Sequence, residues 1–250
     1  MALTGAQIVF ESLIKEGVEV IFGFPGGTVL PFYDTLPQYP QIRHVLVRHE
    51  QGAAHAADGY ARATGKPGVC VATSGPGATN LVTGIANAHL DSSPVIAITG
   101  QVARPYIGKD AFQEIDITGI TLPITKHNYI VLRADEIARV FKEAFYIATS
   151  GRPGPVLIDI PRDVFVEQAE FQYPAKIDLP GYKPVLKGHP AQIKKAARLI
   201  NQAQRPVIIA GRGTIISRAF DELKQLAEKA QIPVITTCLL YTSPSPRDCS

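Results

Sequence analysis

The chain is 250 residues long, 46% hydrophobic and 19% charged, with a formal net charge of +3. That composition is globular, with apolar material for one large domain and part of a second. No Lys/Arg-rich run stands out, which argues against a nucleic-acid footprint or a polybasic membrane patch. Three cysteines, Cys70, Cys238 and Cys249, have neither metal-ligand spacing nor an even disulfide framework. Cys70 sits in the apolar run Val69–Ala72 and reads as a core thiol, in keeping with a reducing compartment. The N-terminus lacks a basic leader and no apolar stretch reaches membrane-spanning length, so the expected compartment is the cytoplasm.

Short β-branched runs alternate with longer helical stretches, the pattern of a parallel α/β sheet. Thr4 and Gln7 form a candidate capping box for a helix through about Glu16, with Ala6, Val9, Phe10 and Leu13 on one face and Gly17 at its end. Val20–Phe22 reads as a strand, followed by the tight loop Phe24-Pro25-Gly26-Gly27 and a helix opening near Thr28. Val45–Val47 is a strand and Glu50–Ala63 an alanine-rich helix. Gly68–Thr73 is a strand, Ser74–Asn80 a glycine loop, Leu81–His89 a helix and Val95–Thr99 a buried strand. Residues 101–121 are polar, interrupted and too long for a simple connection, as in active-site loops. A helix from about Asp135 to Thr149 leads into the strand Val156–Ile160.

The composition then shifts. Between Phe165 and Pro190 lie Pro174, Pro180 and Pro184, with little periodicity, so residues 1–165 are expected as one domain and 166–190 as a linker. Beyond it, Ala191–Ala203 is helical, Pro206–Ala210 a strand, Ala219–Lys229 a helix and Val234–Thr236 a strand. Residues 191–237 thus read as the truncated start of a second, Rossmann-like α/β domain, since two such units cannot bury both faces of a sheet. Residues 238–250 have turn-former composition without periodicity. They resemble a translated sequencing-adapter tail and are expected to be foreign to the protein.

Four places carry candidate chemistry. Glu50, in Arg48-His49-Glu50-Gln51-Gly52-Ala53-Ala54, follows a strand and opens a helix. Taken alone, an acid in a first helical turn reads as a partner of the helix dipole. Its small neighbours, however, admit a flat ligand or another subunit, and a carboxylate in so dry a setting is a candidate proton-exchanging group. Ser74-Gly75-Pro76-Gly77-Ala78-Thr79-Asn80 lies between strand and helix, where backbone N–H groups and close approach favour a polar ligand edge; by itself it reads as a sharp turn, not a dinucleotide fingerprint. Gly211-Arg212-Gly213 is a Rossmann-like loop lacking a further glycine. Arg152, in Gly151-Arg152-Pro153-Gly154-Pro155, reads as an exposed turn residue or an anion anchor. The six histidines do not pair at ligand spacing; His49, His55, His89 and His127 read individually as packed or surface residues.

Taken as an ordered set, Gly23-Phe24-Pro25-Gly26-Gly27, Arg48–Ala54, Ser74–Asn80 and Ile98-Thr99-Gly100-Gln101-Val102 resemble the pyrimidine-binding domain of thiamine-diphosphate enzymes. Asp110-Ala111-Phe112-Gln113-Glu114, Gly119-Ile120 and Pro123–Asn128 make the chain most similar to acetolactate synthase large subunits, from about Leu3 to Thr237. The resemblance implies a three-layer, parallel-sheet domain and a decarboxylation of pyruvate followed by carboligation to a second 2-oxo acid. It implies that Glu50 activates thiamine diphosphate at its aminopyrimidine ring, that Pro25, Gly26, Gly27, Pro76 and Asn80 line that cofactor, and that Gln113 is an active-site glutamine. Phe112, Lys109 and Arg162 fall at positions that face the substrate. Arg152, Gly211 and Gly213 match residues that hold FAD, there a structural relic.

Some residues depart from the family pattern. Thr28 stands where alanine is common, Lys109 where threonine is common, Arg162 where Pro-Lys-Asp is usual, and Arg212 interrupts a glycine run. The C-terminal Gly-Asp-Gly segment that binds Mg2+ and the diphosphate does not occur, so the chain is expected to be an N-terminal fragment, inactive alone. The resemblance further implies a homodimer or tetramer with sites shared between subunits, and a small regulatory subunit as a candidate partner. The alternatives are a glyoxylate- or sulfoacetaldehyde-type carboligase, or a non-catalytic nucleotide-binding module resting on Gly211–Gly213.

Overall fold

A computed structural model describes residues 2–240, in two compact units that divide after Pro184. The first begins with strand β1 (Ala2–Thr4) and helix α1 (Gly5–Lys15). The predicted capping box is present: the Thr4 hydroxyl accepts from Gln7 N at 3.3 Å and the Gln7 side chain accepts from Thr4 N at 3.0 Å. That satisfies two of the first-turn polar groups and fixes the start of α1.

Next come β2 (Val20–Gly23), α2 (Leu30–Thr35), β3 (Arg43–Leu46), α3 (Glu50–Thr64) and β4 (Gly68–Ala72). They are followed by α4 (Pro76–Asn80), α5 (Val82–Leu90), β5 (Val95–Gln101) and α6 (Ile117–Thr121). The unit continues with β6 (His127–Ile130), α7 (Ile137–Thr149), β7 (Val156–Pro161), α8 (Arg162–Val166) and β8 (Gln168–Glu170). Six strands form one parallel sheet in the order β3-β2-β4-β5-β7-β6.

Helices cover both faces, giving the three layers expected. In β4 the side chains of Val69 and Val71 join one core while Cys70 and Ala72 join the other, the period-2 alternation of a strand buried on both sides. The first core receives α1, α2, α7 and α8; the second receives α3, α4, α5 and α6. Burial pushes the Cys70 thiol up to about 12, so it behaves as a small apolar side chain.

The second core is additionally pinned by polar contacts. On α3, Asp58 receives a bidentate pair from Arg62, both bonds 2.8 Å, and a 2.7 Å bond from Asn87 on α5. Burial alone would raise the Asp58 carboxyl, but these donors together with Ser93 hold it below its ordinary range. α3 is thereby fixed against α5, which matters because its first residue is Glu50.

The stretch expected as a linker differs from that expectation. Its β8 pairs antiparallel with β1, and Phe171, Tyr173, Leu179 and Tyr182 pack against the first core. Lys126 donates to the Ser150 carbonyl at 2.8 Å and to the Tyr182 hydroxyl at 2.9 Å. Prolines set the path of this segment, but its aromatic residues have apolar area worth burying, and residues up to Pro184 therefore belong with the first unit.

In the second unit α9 (Pro190–Gln202), β9 (Ile208–Ala210), α10 (Arg212–Ser217), α11 (Phe220–Ala230) and β10 (Val234–Thr236) follow one another, and β9 and β10 pair in parallel. Most of the tail expected to be foreign, residues 241–250 with Cys249, lies outside the described residues.

Candidate cofactor site at the carboxyl ends of the strands

The predicted loops leave the same end of the sheet. The loop after β2 carries Pro25, Gly26 and Gly27; the chain after β3 reaches Glu50; the turn after β4 carries Ser74 to Pro76; and the chain after β5 carries Lys109, Phe112 and Gln113. Ligands of open parallel sheets bind at this end, where loops can vary without disturbing the core.

Glu50 is the first residue of α3 and is 8% exposed. His49 caps the helix, its Nδ1 accepting from Gln51 N at 3.1 Å. The Glu50 carboxylate therefore lies at the positive end of a 15-residue helix. Asn80, at the end of α4, donates from Nδ2 to Glu50 Oε2 at 2.9 Å. A Cβ on Gly77 would stand 3.2 Å from Oε1, so the missing side chain is what leaves that oxygen approachable. One carboxylate oxygen is thus engaged by protein and the other faces a bare stretch of backbone.

The loops after β2 and β4 are clasped by two threonines. Thr28 N donates to Thr73 Oγ1 at 3.2 Å, the two hydroxyls lie 3.0 Å apart, and Ser74 N donates to Thr28 Oγ1 at 3.0 Å. A Cβ on Gly26 would come within 2.5 Å of Thr73, so glycine is required there for the approach. Thr28, which departs from the family pattern, is a joint between the loops after β2 and β4. Pro25, Gly27 and Pro76 are exposed along their rim.

Gln113 has φ 61° and packs over Gly75, whose own φ is 59°. A Cβ on Gly75 would meet the Gln113 carbonyl at 2.7 Å. The loop that presents Gln113 is gathered by Glu114, whose carboxylate accepts from Ala111 N at 2.9 Å, from Lys109 N at 3.3 Å and from Gly108 N. Those backbone donors, Ala111 first, hold the Glu114 carboxyl below its ordinary range. Phe112, next to Gln113, is 87% exposed. Glu114 escaped the sequence reading as a loop organiser, although an acid closing a Gly-Lys-Asp turn is a recognisable anion acceptor for backbone donors.

Lys109 is exposed on the same loop. Arg162 opens α8 beside the end of β5, since Pro161 is the register partner of Gln101. Arg152 stands elsewhere in the first unit: its Nε donates to Ser92 Oγ at 2.7 Å and its Nη2 to the Leu90 carbonyl at 3.1 Å, tying its turn to the end of α5. Gly211 and Gly213 belong to the second unit, where Gly211 caps α10 and a Cβ on Gly213 would meet open space.

Comparison with known proteins decides what this geometry belongs to. Residues 3–120 match the thiamine pyrophosphate enzyme N-terminal TPP binding domain, and residues 193–241 match the central domain of the same enzymes. The chain belongs to the thiamine pyrophosphate enzyme family. It is 60% identical over 237 residues to an acetolactate synthase of Mycobacterium bovis, a match covering 95% of this chain and 38% of that one. It is 59% identical over 240 residues to a probable acetolactate synthase large subunit of Methanocaldococcus jannaschii, covering 95% and 40%. With the acetolactate synthase large subunit of Corynebacterium glutamicum the identity is 55% over 237 residues, covering 95% and 38%. The chain thus spans about two-fifths of the length of the curated relatives it matches. Among the described residues of this thiamine pyrophosphate enzyme chain, no helix is long and apolar enough to cross a membrane.

Proposed function

We propose that this chain is the cofactor-activating portion of an acetolactate synthase large subunit and that Glu50 is the carboxylate that engages thiamine diphosphate. The observation that carries the reading is the placing of Glu50, buried at the start of α3 with Asn80 on one oxygen and Gly77 beside the other. A flat aminopyrimidine needs a fixed carboxylate acceptor and a wall without side chains, and the residues present fit both needs. When bound, the cofactor supplies the nucleophilic carbon for attack on a 2-oxo acid and the electron sink for loss of carbon dioxide.

In this reading Glu50 holds a proton at the pyrimidine ring and Asn80 keeps the carboxylate turned toward it. Pro25, Gly26, Gly27 and Pro76 form the rim of the pyrimidine site. Phe112 and Gln113, with Lys109 and Arg162 at the same end of the sheet, face the 2-oxo acids. The reaction is decarboxylation of pyruvate and transfer of its two-carbon unit to a second 2-oxo acid, giving 2-acetolactate or 2-aceto-2-hydroxybutanoate for valine, leucine and isoleucine. The similarity to acetolactate synthases over 95% of the chain supports this over the glyoxylate- or sulfoacetaldehyde-type alternative.

Mg2+ and the diphosphate belong to the same proposal; among the described residues there is no acidic, histidine or cysteine cluster for the metal, and a diphosphate domain of the larger protein would hold them. FAD is included through Gly211 and Gly213, neither of which the packing of its own unit requires to be glycine; the Arg152 guanidinium is engaged on Ser92 and Leu90. A second copy of the subunit completes the site and covers Phe112, and the cytoplasm is the proposed compartment. In a complete large subunit carrying these residues, Glu50→Gln should lower acetolactate formation by roughly 10²–10⁴-fold. Turnover within two-fold of the parent would overturn the assignment.

A further inference from the structure

On the strand β7 an acid interrupts the apolar run Val156-Leu157-Ile158-Asp159-Ile160. Asp159 is 1% exposed and shares the alanine-rich face with Leu157, while Val156, Ile158 and Ile160 point to the other core. Unpartnered, a carboxylate there would be costly. It is partnered on both oxygens from β5: the Thr99 hydroxyl donates to Oδ1 at 2.7 Å, and Gln101 Nε2 donates to Oδ2 at 3.0 Å.

Gln101 has no rotational choice left. Its Nε2 also donates to the Ile115 carbonyl at 2.8 Å, and its Oε1 accepts from Val102 N at 2.9 Å. One amide group therefore joins the buried end of the sheet to the chain segment that follows Phe112 and Gln113. The contacts run on from there: Glu114 gathers the loop backbone, Gln113 rests on Gly75, and the turn containing Gly75 and Gly77 lies against Glu50.

We propose that Gln101, oriented by Asp159, is a positioning residue that sets the placement of the Phe112–Gln113 loop over the cofactor turn. It touches neither cofactor nor substrate, and acts through the Ile115 carbonyl. An asparagine at 159 keeps an acceptor for Gln101 only by turning its NH2 onto the Thr99 hydroxyl, whereas a leucine there removes both acceptors. If Gln101 turned to accept, its NH2 would face Val102 N and its carbonyl oxygen would face the Ile115 carbonyl, so the joint cannot be rebuilt by a flip. Burial first, with Asp116 before α6 adding to it, pushes the Asp159 carboxyl up to about 7 against Thr99 and Gln101, which favour the anion. Gln101 Nε2 needs an acceptor oxygen at this position, and Asp159 supplies it.

The effect on substrate rests on the function proposed above, so the test has one part that does not. In the 250-residue chain, Asp159→Leu and, separately, Gln101→Met should make amides of residues 108–117 exchange with deuterium about ten-fold faster or more, with the amides of β4 unchanged. Loop exchange within two-fold of the parent, or equal acceleration in β4, would overturn the proposal. In a complete large subunit carrying these residues, Gln101→Met should raise KM for the 2-oxo acid about ten-fold and leave thiamine diphosphate affinity within two-fold. A parent subunit that forms no acetolactate would refute the functional reading while leaving the exchange result to judge the joint.

Discussion

On the face packed by α1, α2, α7 and α8 the sheet is covered by Phe10, Phe32, Phe141, Phe145 and Phe165, with Phe10 stacked on Phe32 at 4.5 Å and on Tyr39 at 4.9 Å. On the face packed by α3, α4 and α5 the core is Ala53, Ala54, Ala57, Ala78, Ala88 and Ala97, filled out by Leu81 and Ile85. The first arrangement buries much apolar area per residue and stabilises the unit. The second buries less, but its small side chains let helices come close to the strands and to each other. Glu50 at the start of α3 and Asn80 at the end of α4 meet because nothing bulky holds those helices apart. Stability is concentrated on one face, and the candidate site is built on the other.

Mutations on each face separate the two roles. Phe10→Ala, on the aromatic face, should cost about 3–5 kcal/mol of unfolding free energy, read by urea denaturation; a loss under about 1 kcal/mol would mean that this face is not where stability is concentrated. On the alanine face, Asp159 is a buried acid within a strand. Its folded-state pKa of about 7 exceeds the ordinary carboxylate value, so the folded chain binds that proton more tightly. The stabilisation is complete below pH ~4 and is lost as pH rises toward 7, at up to about 1.4 kcal/mol per unit for one group. The Tm of Asp159→Asn should therefore climb relative to the parent between pH 5 and pH 7; a difference that does not change with pH would contradict a buried titrating group. Smallest is Gly84→Ala on α5, where the added methyl would overlap Ala54. Overpacking of about 1–3 kcal/mol is offset by about 1 kcal/mol of helix propensity, leaving a net cost near 1 kcal/mol. A stabilised variant would show that the close approach of α3 and α5 is not needed.

Much of this was legible in the residues. The Thr4–Gln7 capping box and the strand Val234–Thr236 stand where spacing put them, because their signals are local. The strand β6 escaped notice: His127-Asn128-Tyr129-Ile130 lies at the sheet edge, half exposed and without an apolar run. β1 and β8 are three residues each and owe their structure to one another, which no window of sequence contains. The Thr28–Thr73 clasp joins residues 45 apart, and in the sequence Thr28 is only a departure from the family pattern. Segment 166–184 was read by its prolines, when Phe171, Tyr173 and Tyr182 decide where it packs. Asp159 passed as one strand residue among others, although an acid in an otherwise apolar buried run is itself a sign that partners must be found.

If Glu50 activates thiamine diphosphate as proposed, it governs the rate at which the reactive carbon of bound cofactor exchanges its proton with deuterated solvent, followed by NMR after acid quench. In a complete large subunit carrying these residues, Glu50→Gln should slow that exchange by roughly 100-fold or more with the cofactor still bound. An exchange rate within two-fold of the parent, at equal cofactor occupancy, would rule out Glu50 as the activating carboxylate.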